Sequence, residues 1–199
     1  MSDEAVEHAR ALLHALGLDE TVDPELRTAP ERFTELLKTM FSGVTDEPPV
    51  LSTFPVEATD TSSESRPDND AALEPVVLLD LPFQSMCVHH LVPMFGSIDV
   101  AYVPRDRIVG FGSIGRAIDF VCARPQVQER IVTQLADLIE RHLEPEGLLV
   151  RCRARQLCME MRGAKKRGTL VSTASRGSLR SGERRLEIMR QFAQADSAL

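Results

Sequence analysis

The sequence has 199 residues, of which 43% are hydrophobic and 27% charged, which fits a soluble globular domain with one substantial core and excludes a membrane-spanning protein. The net charge of −7 is unevenly distributed, since residues 1–80 carry 5 Lys and Arg against 18 Asp and Glu, whereas residues 151–190 carry 12 against 3. The basic segment suits a small anionic ligand or an acidic neighbouring subunit, while the lack of Trp and the single Tyr disfavour a nucleic-acid partner.

The N-terminal region, residues 1–55, is predicted to be helical. Its acidic start lacks the basic residues and apolar core of a secretory signal, so we expect a cytoplasmic protein. Apolar residues recur at helical spacing over 3–16, and a second helix is indicated from Thr28 to about Gly43. Residues 56–74 are rich in Asp, Glu, Ser and Thr, and we expect them to form a mobile acidic loop.

The remaining residues, 75–199, are predicted to form one α+β unit. Apolar runs, some of them alternating, indicate strands at 76–81, 97–103, 148–155 and 169–173. Helical spacing indicates helices at 115–122, from Pro125 to Ile139, and at 182–193. Because strands and helices do not alternate regularly, we expect an α+β fold and not a parallel α/β fold.

The four cysteines of this unit are candidates for metal binding, because thiols in a cytoplasmic protein are seldom disulfide-linked. Cys87-Val88-His89-His90 places a thiolate and an imidazole close enough to bind one metal ion, although this spacing is common by chance. A catalytic zinc ion needs three protein ligands and an open position for water, and either Cys152 or Cys158 could be the third ligand. The alternative is that the cysteines are small buried apolar residues.

Several other side chains carry candidate chemistry. If the segment after Cys87 is extended, His89 points away from His90 and could donate a proton; the alternative is a hydrogen-bonded packing histidine. Glu129, in the first turn of the Pro125 helix, either interacts with the helix dipole or accepts two hydrogen bonds from the N–H edge of guanine. Basic residues that could contact phosphate, or simply be solvated, are Arg116, Arg162, Lys165, Lys166 and Arg167.

Three separated segments resemble the GTP cyclohydrolase I family: Ser-Met-Cys-Val-His-His-Leu-Val-Pro at 85–93, Arg-Pro-Gln-Val-Gln-Glu-Arg at 124–130, and Cys158 four residues before Arg162-Gly163. Their order and spacing are similar to the family from about Thr28 to the C-terminus. The resemblance implies a tunnelling fold (T-fold), in which helices pack on one face of an antiparallel sheet. A helical extension precedes this fold at the N-terminus. It also implies a ring-shaped homo-oligomer, typically a decamer, with active sites at subunit interfaces.

The resemblance also implies roles for individual residues. The zinc ligands are Cys87, His90 and Cys158, and the catalytic histidine is His89. Guanine is recognised by Glu129 with Gln128 adjacent, and phosphate is contacted by Arg116, Arg162 and, from a neighbouring subunit, Arg32. The implied reaction is hydrolytic opening of the imidazole ring of GTP, in which zinc-activated water attacks C8 while the histidine supplies a proton. Loss of formate and closure of a dihydropterin follow.

Four positions depart from the family pattern. Val88 occupies the position of a glutamate in the family, and Gln156 occupies the position of a catalytic histidine. Ser113 replaces the lysine of a substrate-binding segment, and Glu35 replaces a basic residue. Because an amide cannot shuttle a proton near neutral pH, we expect Gln156 to slow the steps after the first hydration. The loss of two cations at Ser113 and Glu35 is expected to weaken binding of a triphosphate.

Three candidate functions follow from these observations, in order of preference. The first is a diverged cyclohydrolase of guanine nucleotides, whose product is dihydroneopterin triphosphate or a ring-opened formamidopyrimidine. The second is a non-catalytic protein that binds guanine or a pterin, or that regulates a true cyclohydrolase, although a binding module has little need for an open metal site. A nitrile reductase of the queuosine pathway ranks third, because it shares the implied fold but lacks the His-His zinc arrangement.

Overall fold

The computed structural model describes residues 3–56 and 73–195. The predicted acidic loop at 56–74 therefore lies almost entirely outside the described residues. Every helix in the described ranges is too short or too polar to cross a lipid bilayer. Helices and a mainly antiparallel sheet make a mixed α+β fold, as the sequence predicts.

The two helices predicted at the N-terminus are α1 (Asp3–Ala15) and α2 (Ala29–Met40). They contact each other, and Arg10 of α1 forms an ion pair with Glu31 of α2 at 2.8 Å. The same guanidinium lies 2.7 Å from Glu20 in the connection between them. α1 and α2 are thus held as a helical pair by both packing and charge.

The described strands are β1 (Thr53–Pro55), β2 (Val76–Cys87), β3 (Pro93–Val103), β4 (Arg107–Val109), β5 (Pro125–Gln126), β6 (Gly147–Gln156) and β7 (Thr169–Gly177). Five of them form the main sheet, in the order β5-β2-β3-β6-β7. Neighbouring strands are antiparallel except for β5, which pairs with β2 in parallel. β1 and β4 form a separate antiparallel pair.

Both faces of the main sheet carry helices. α3 (Phe111–Cys122) and α4 (Gln128–Leu143) pack on one face, and the core between them includes Val100, Tyr102, Val150, Ile118, Ile131 and Leu135. A short helix, α5 (Leu157–Glu160), follows β6. On the other face, α6 (Glu183–Ala195) buries Ile188 and Phe192. They pack against Ala101, Val103 and Leu149, whose side chains point to this face because successive residues of a strand point to opposite faces of the sheet. The expectation that helices pack on one face only is therefore wrong for α6.

A buried ion pair lies where α6 meets the sheet. Arg151 on β6 and Asp99 opposite it on β3 are 2.7 Å apart, and their side chains are 5% and 0% exposed. Arg151 also donates a hydrogen bond to the Phe192 carbonyl at 2.8 Å. The Asp80 N–H donates to the Asp99 carboxylate at 3.0 Å. The pair therefore joins three strands to the C-terminal helix.

The helix predicted to open at Pro125 begins at Gln128 instead. Pro125 and Gln126 form β5, which pairs with Met86 and Cys87 at the end of β2. Proline is tolerated there because β5 lies at the edge of the sheet, where its missing N–H interrupts no central ladder. Gln128 and Glu129 nevertheless occupy the first turn of α4, as predicted.

Candidate metal centre and adjoining cavity

The candidate site forms at one end of the main sheet. β2 and β6 lie on either side of β3 and both run antiparallel to it. The C-terminal ends of β2 and β6 therefore lie at the same end of the sheet. Cys87 is the last residue of β2, and Gln156 is the last residue of β6. α5 follows at once and carries Cys158. The sheet therefore brings together side chains from two distant segments of the sequence.

The three predicted metal ligands lie close together. One donor atom from each of Cys87, His90 and Cys158 lies within 4.8 Å of the other two. Cys87 Sγ and His90 Nδ1 are 3.7 Å apart. Tetrahedral zinc, with sulfur at about 2.3 Å and nitrogen at about 2.0–2.1 Å, requires a sulfur–nitrogen separation of about 3.6 Å. The donor set and its spacing therefore fit a zinc ion with a fourth position open to water.

A tight turn after β2 presents the two imidazoles. The Leu91 N–H donates to the Cys87 carbonyl at 2.8 Å, and Leu91 adopts the left-handed conformation, with φ of 49°. The expectation that this segment is extended, with His89 opposite His90, is wrong because the hydrogen bond closes the chain into a turn. The two rings meet edge to face, with centroids 6.1 Å apart. One turn therefore presents both the metal-binding and the candidate proton-donating imidazole.

Burial separates Cys158 from the two other candidate thiols. Cys122 and Cys152 are 2% and 0% exposed, within the main core. This burial raises the pKa of Cys122 to about 12, and it raises the pKa of Cys152 as well. The pKa of Cys158 is also raised, first by burial and then by the neighbouring Cys87 thiol, but Cys158 is only partly buried. The thiol positioned to join Cys87 and His90 is therefore Cys158 and not Cys152.

A cavity of about 430 Å³, large enough for a small-molecule ligand, adjoins the metal-binding group. Six predicted site residues line it: Cys87, His89, Gln128, Glu129, Gln156 and Cys158. Six other residues also line it: Gln126, Val127, Met159, Gly168, Thr169 and Leu170. Gln126 and Val127 lie within the segment at 124–130, and Met159 follows Cys158 on α5. Gly168, Thr169 and Leu170 reach the cavity because β7 pairs with β6.

The polar residues of the cavity differ in how strongly the protein engages them. Gln128 is 2% exposed and donates to the carbonyls of Cys152 and Leu170, both at 2.9 Å. The Gln156 Nε2 donates to the Gln128 Oε1 at 2.9 Å. The Glu129 side chain is exposed, and no described residue hydrogen-bonds to its carboxylate. Glu129 is therefore available to a ligand in a way that Gln128 is not.

Outside the candidate metal-binding group, four predicted site residues do not line this cavity in the same chain: Ser113, Arg116, Arg32 and Arg162. Ser113 is 2% exposed, and its hydroxyl accepts hydrogen bonds from the Ser52 N–H at 3.0 Å and from the Arg116 guanidinium at 2.9 Å. Arg32 is exposed on α2, and Arg162 is exposed after α5. The structure thus brings together the predicted metal donors and the residues predicted to recognise the base, but not the residues expected to contact phosphate.

Known proteins share this sequence pattern over most of the chain. The family model described as GTP cyclohydrolase I matches residues 5–193. A protein named GTP cyclohydrolase 1 from Brevibacillus brevis is 40% identical over 178 residues, which cover 88% of both chains. Its namesake from Streptococcus mutans is 40% identical and covers 89% of this chain and 88% of its own. A solved structure of an archaeosine synthase QueF-Like in the apo form covers 54% of this chain and 95% of its own at 14% identity, with a TM-score of 0.41, too low to support an argument.

Proposed function

Because the chain belongs to the GTP cyclohydrolase I family, we propose that it is a zinc-dependent hydrolase that opens the imidazole ring of a guanine nucleotide, with GTP as the first candidate. The observation that carries this proposal is the grouping of Cys87, His90 and Cys158 beside a cavity that His89 and Glu129 line. Metal donors, an imidazole and an unengaged carboxylate thus adjoin one space of ligand size.

Each of these residues has a defined task in the proposed reaction. Cys87, His90 and Cys158 would hold the zinc ion, and the chemistry that it supplies when bound is activation of a water molecule near neutral pH. His89 donates a proton to the purine ring as the bond between C8 and the ring nitrogen opens, a role that suits imidazole near neutral pH. Glu129 accepts hydrogen bonds from the N1–H and the amino group of guanine, a donor pair that adenine lacks.

The assembly we propose is a ring-shaped homo-oligomer of T-fold subunits, typically a decamer in this family. Two features of the described residues support it. Ser113, Arg116 and Arg32 do not line the cavity of their own chain, so in the proposed ring Arg116 and Arg32 contact phosphate groups bound at another copy. In addition, the helical pair α1–α2 exposes large apolar side chains of the kind that interfaces cover: Leu12, Leu16, Phe33 and Leu36, which are 50%, 68%, 40% and 52% exposed.

The nature of the product depends on Gln156. The first ring opening would use the water that a bound zinc ion activates and a proton from His89. Later proton transfers are expected to slow, because an amide at position 156 cannot exchange a proton near neutral pH. We propose that the ring-opened formamidopyrimidine nucleotide is formed and that dihydroneopterin triphosphate follows from it more slowly.

Incubation of the zinc-loaded protein with GTP tests the proposed function. Mass spectrometry should show a species heavier by one water, then loss of formate, and fluorescence should report any pterin. Cys158→Ser, which removes one metal ligand, should abolish all three signals. A protein that neither binds nor alters GTP, GMP or guanosine would sink the proposal. Tight binding with zinc retained and no turnover would instead identify a non-catalytic guanine-binding protein.

A further inference from the structure

The hydrogen bonds around Gln128 determine the orientation of two side-chain amides. A backbone carbonyl can only accept, so the group of Gln128 that contacts the carbonyls of Cys152 and Leu170 must be its NH2. The Gln128 Oε1 must then be the atom that faces Gln156, at 2.9 Å, and Gln156 must present its own NH2 to it. The Gln156 Nε2 also lies 3.5 Å from the Met94 sulfur.

The two side-chain amides differ in which hydrogen-bonding atoms remain free to contact a ligand. Gln128 is 2% exposed, and its NH2 and oxygen are all engaged within the protein. Gln156 has used its NH2, whereas no described residue donates to its Oε1. Gln156 also lines the 430 Å³ cavity beside the metal donors. The group that remains for a bound molecule is therefore a hydrogen-bond acceptor that carries no charge.

We propose that Gln128 is a positioning residue, which holds Gln156 so that the Gln156 Oε1 accepts a hydrogen bond from an N–H or O–H group of the nucleotide in the transition state. The identity of the ligand rests on the proposed function, but the arrangement of the amides does not. This role differs from the one that the resemblance implies, in which Gln128 lies beside Glu129 among the substrate-binding residues. Recognition of the guanine edge then falls to Glu129 alone.

A double-mutant cycle separates this role from direct binding. Gln128→Met keeps the length of the side chain but removes the hydrogen bonds that hold Gln156. Gln156→Met removes the proposed acceptor and leaves the two bonds from Gln128 to backbone carbonyls in place. Gln134→Met is the matched control on α4, because Gln134 accepts one hydrogen bond from Gln126 at 2.8 Å and does not line the cavity. Gln126 keeps its bonds to Val121 and Arg130 in that control.

If Gln128 acts through Gln156, each single variant should lower kcat by the same factor, roughly tenfold, as expected for loss of one hydrogen bond in the transition state. The double variant should fall no further, KM for GTP should stay within about twofold, and Gln134→Met should be unchanged. A raised KM for Gln128→Met that persists in the Gln156→Met background would show direct contact with the substrate and overturn the inference. An unchanged kcat with lowered Tm would show a structural role only, and would overturn it as well.

Two additional measurements test the inference if Gln128→Met is unstable or if the unsubstituted protein has no activity on guanine nucleotides. Gln128→Glu keeps an acceptor for Gln156 although it loses the donors to the Cys152 and Leu170 carbonyls, so kcat should fall less than in Gln128→Met even where stability falls. A loss of kcat as large as in Gln128→Met contradicts the inference. If the protein alters no guanine nucleotide, the proposed function fails, and crystal structures still decide the inference. Gln156 should then occupy several rotamers in Gln128→Met and a single one in Gln134→Met. A Gln156 side chain that stays in place in Gln128→Met overturns the positioning role.

Discussion

The four cysteines divide into two chemical classes. Cys122 and Cys152 are buried in the core with raised pKa values, so they remain protonated and unreactive at pH 8. Cys87 and Cys158 lie within the candidate metal-binding group. We expect iodoacetamide to modify neither pair in the zinc-loaded protein, and to modify Cys158 and then the more buried Cys87 after zinc is removed with a chelator. Peptide mass mapping measures this.

The labelling pattern also checks the choice of the third ligand. Cys122 and Cys152 should become reactive only when the protein is unfolded in urea, which serves as the positive control for labelling. If chelation exposes Cys152 in place of Cys158, the assignment of Cys158 as a zinc ligand is wrong.

Gln156→His introduces a group that can transfer a proton near neutral pH. An imidazole N–H can donate to the Gln128 Oε1, so the substituted side chain has the same neighbour to anchor it. We expect the ratio of pterin to formamidopyrimidine product to rise by roughly tenfold or more, read from fluorescence and mass. Gln156→Asn, which adds no titratable group, should not raise the ratio. An unchanged ratio in Gln156→His would indicate that Val88 or the phosphate contacts, and not Gln156, limit formation of the pterin.

At the level of the strands, Gly96 of β3 lies directly against the backbone of β6. A Cβ atom there would lie 1.9 Å from the Arg153 carbonyl oxygen, too close for any side chain. Gly96→Ala should therefore lower the free energy of unfolding by about 3 kcal/mol, measured by urea denaturation. Gly115→Ala on α3 is the matched control, because no atom lies within 4 Å of its Cβ. It should raise stability by about 0.5–1 kcal/mol, and a loss of stability in Gly115→Ala would contradict this reasoning.

The buried pair between Arg151 and Asp99 connects α6 to the sheet. Arg151→Met leaves the Asp99 carboxylate, which is 0% exposed, without its cation. We expect a loss of about 3–5 kcal/mol in the free energy of unfolding. Arg10→Met breaks two partly exposed pairs, with Glu20 and Glu31, whose side chains are 28% and 51% exposed, and should cost about 1 kcal/mol or less for each pair. Equal losses in the two variants would show that burial does not set the strength of the Arg151 pair.

Sequence patterns predict the elements whose signal is local. α1, α2, α4 and β6 follow from periodicity, because each repeats apolar residues over one continuous segment. β5 could not be predicted in this way, since two residues carry no periodicity and their strand character depends on pairing with Met86 and Cys87. The position of α6 on the second face likewise depends on which side chains of β3 and β6 remain uncovered.

The candidate site shows the same division between local and distant information. The need for a third metal ligand could be met by either Cys152 or Cys158. Only the resemblance of the whole motif, followed by the observed burial of Cys152, favours Cys158. The bond between Gln128 and Gln156 was not predictable, because it depends on how the start of α4 sits against the end of β6. Residue types and spacing therefore indicate the chemistry, while the hydrogen bonds that orient it require the structure.

For the whole molecule, the proposed ring predicts that two inactive variants can complement each other. Cys158→Ser disables its own cavity, whereas Arg116→Ala disables the phosphate contact at a neighbouring copy. Mixed rings should recover up to about a quarter of full activity, because intact cavities and intact arginines combine at random. The measurement is GTP turnover by co-expressed, doubly tagged protein, with light scattering to confirm a mass well above the 22.1 kDa of one chain.

A matched mixture provides the control for complementation. Cys158→Ser and Cys87→Ser disable the same cavity, so their mixed rings should remain inactive. Failure of the Cys158→Ser and Arg116→Ala mixture to recover activity would mean that Arg116 acts at the cavity of its own chain or that no ring forms.

The short pairing between β5 and β2 constrains how such a protein can evolve. The Val88 N–H donates to the Gln126 carbonyl at 2.9 Å, three residues before the carboxylate of Glu129. An insertion or deletion between these positions would shift the carboxylate proposed to recognise guanine relative to the candidate metal ligands, whereas exchange of Val88 or Gln156 leaves both in place. New products should therefore arise by point substitution in the cavity wall, and laboratory evolution of this scaffold should start from single-site libraries and not from loop grafts.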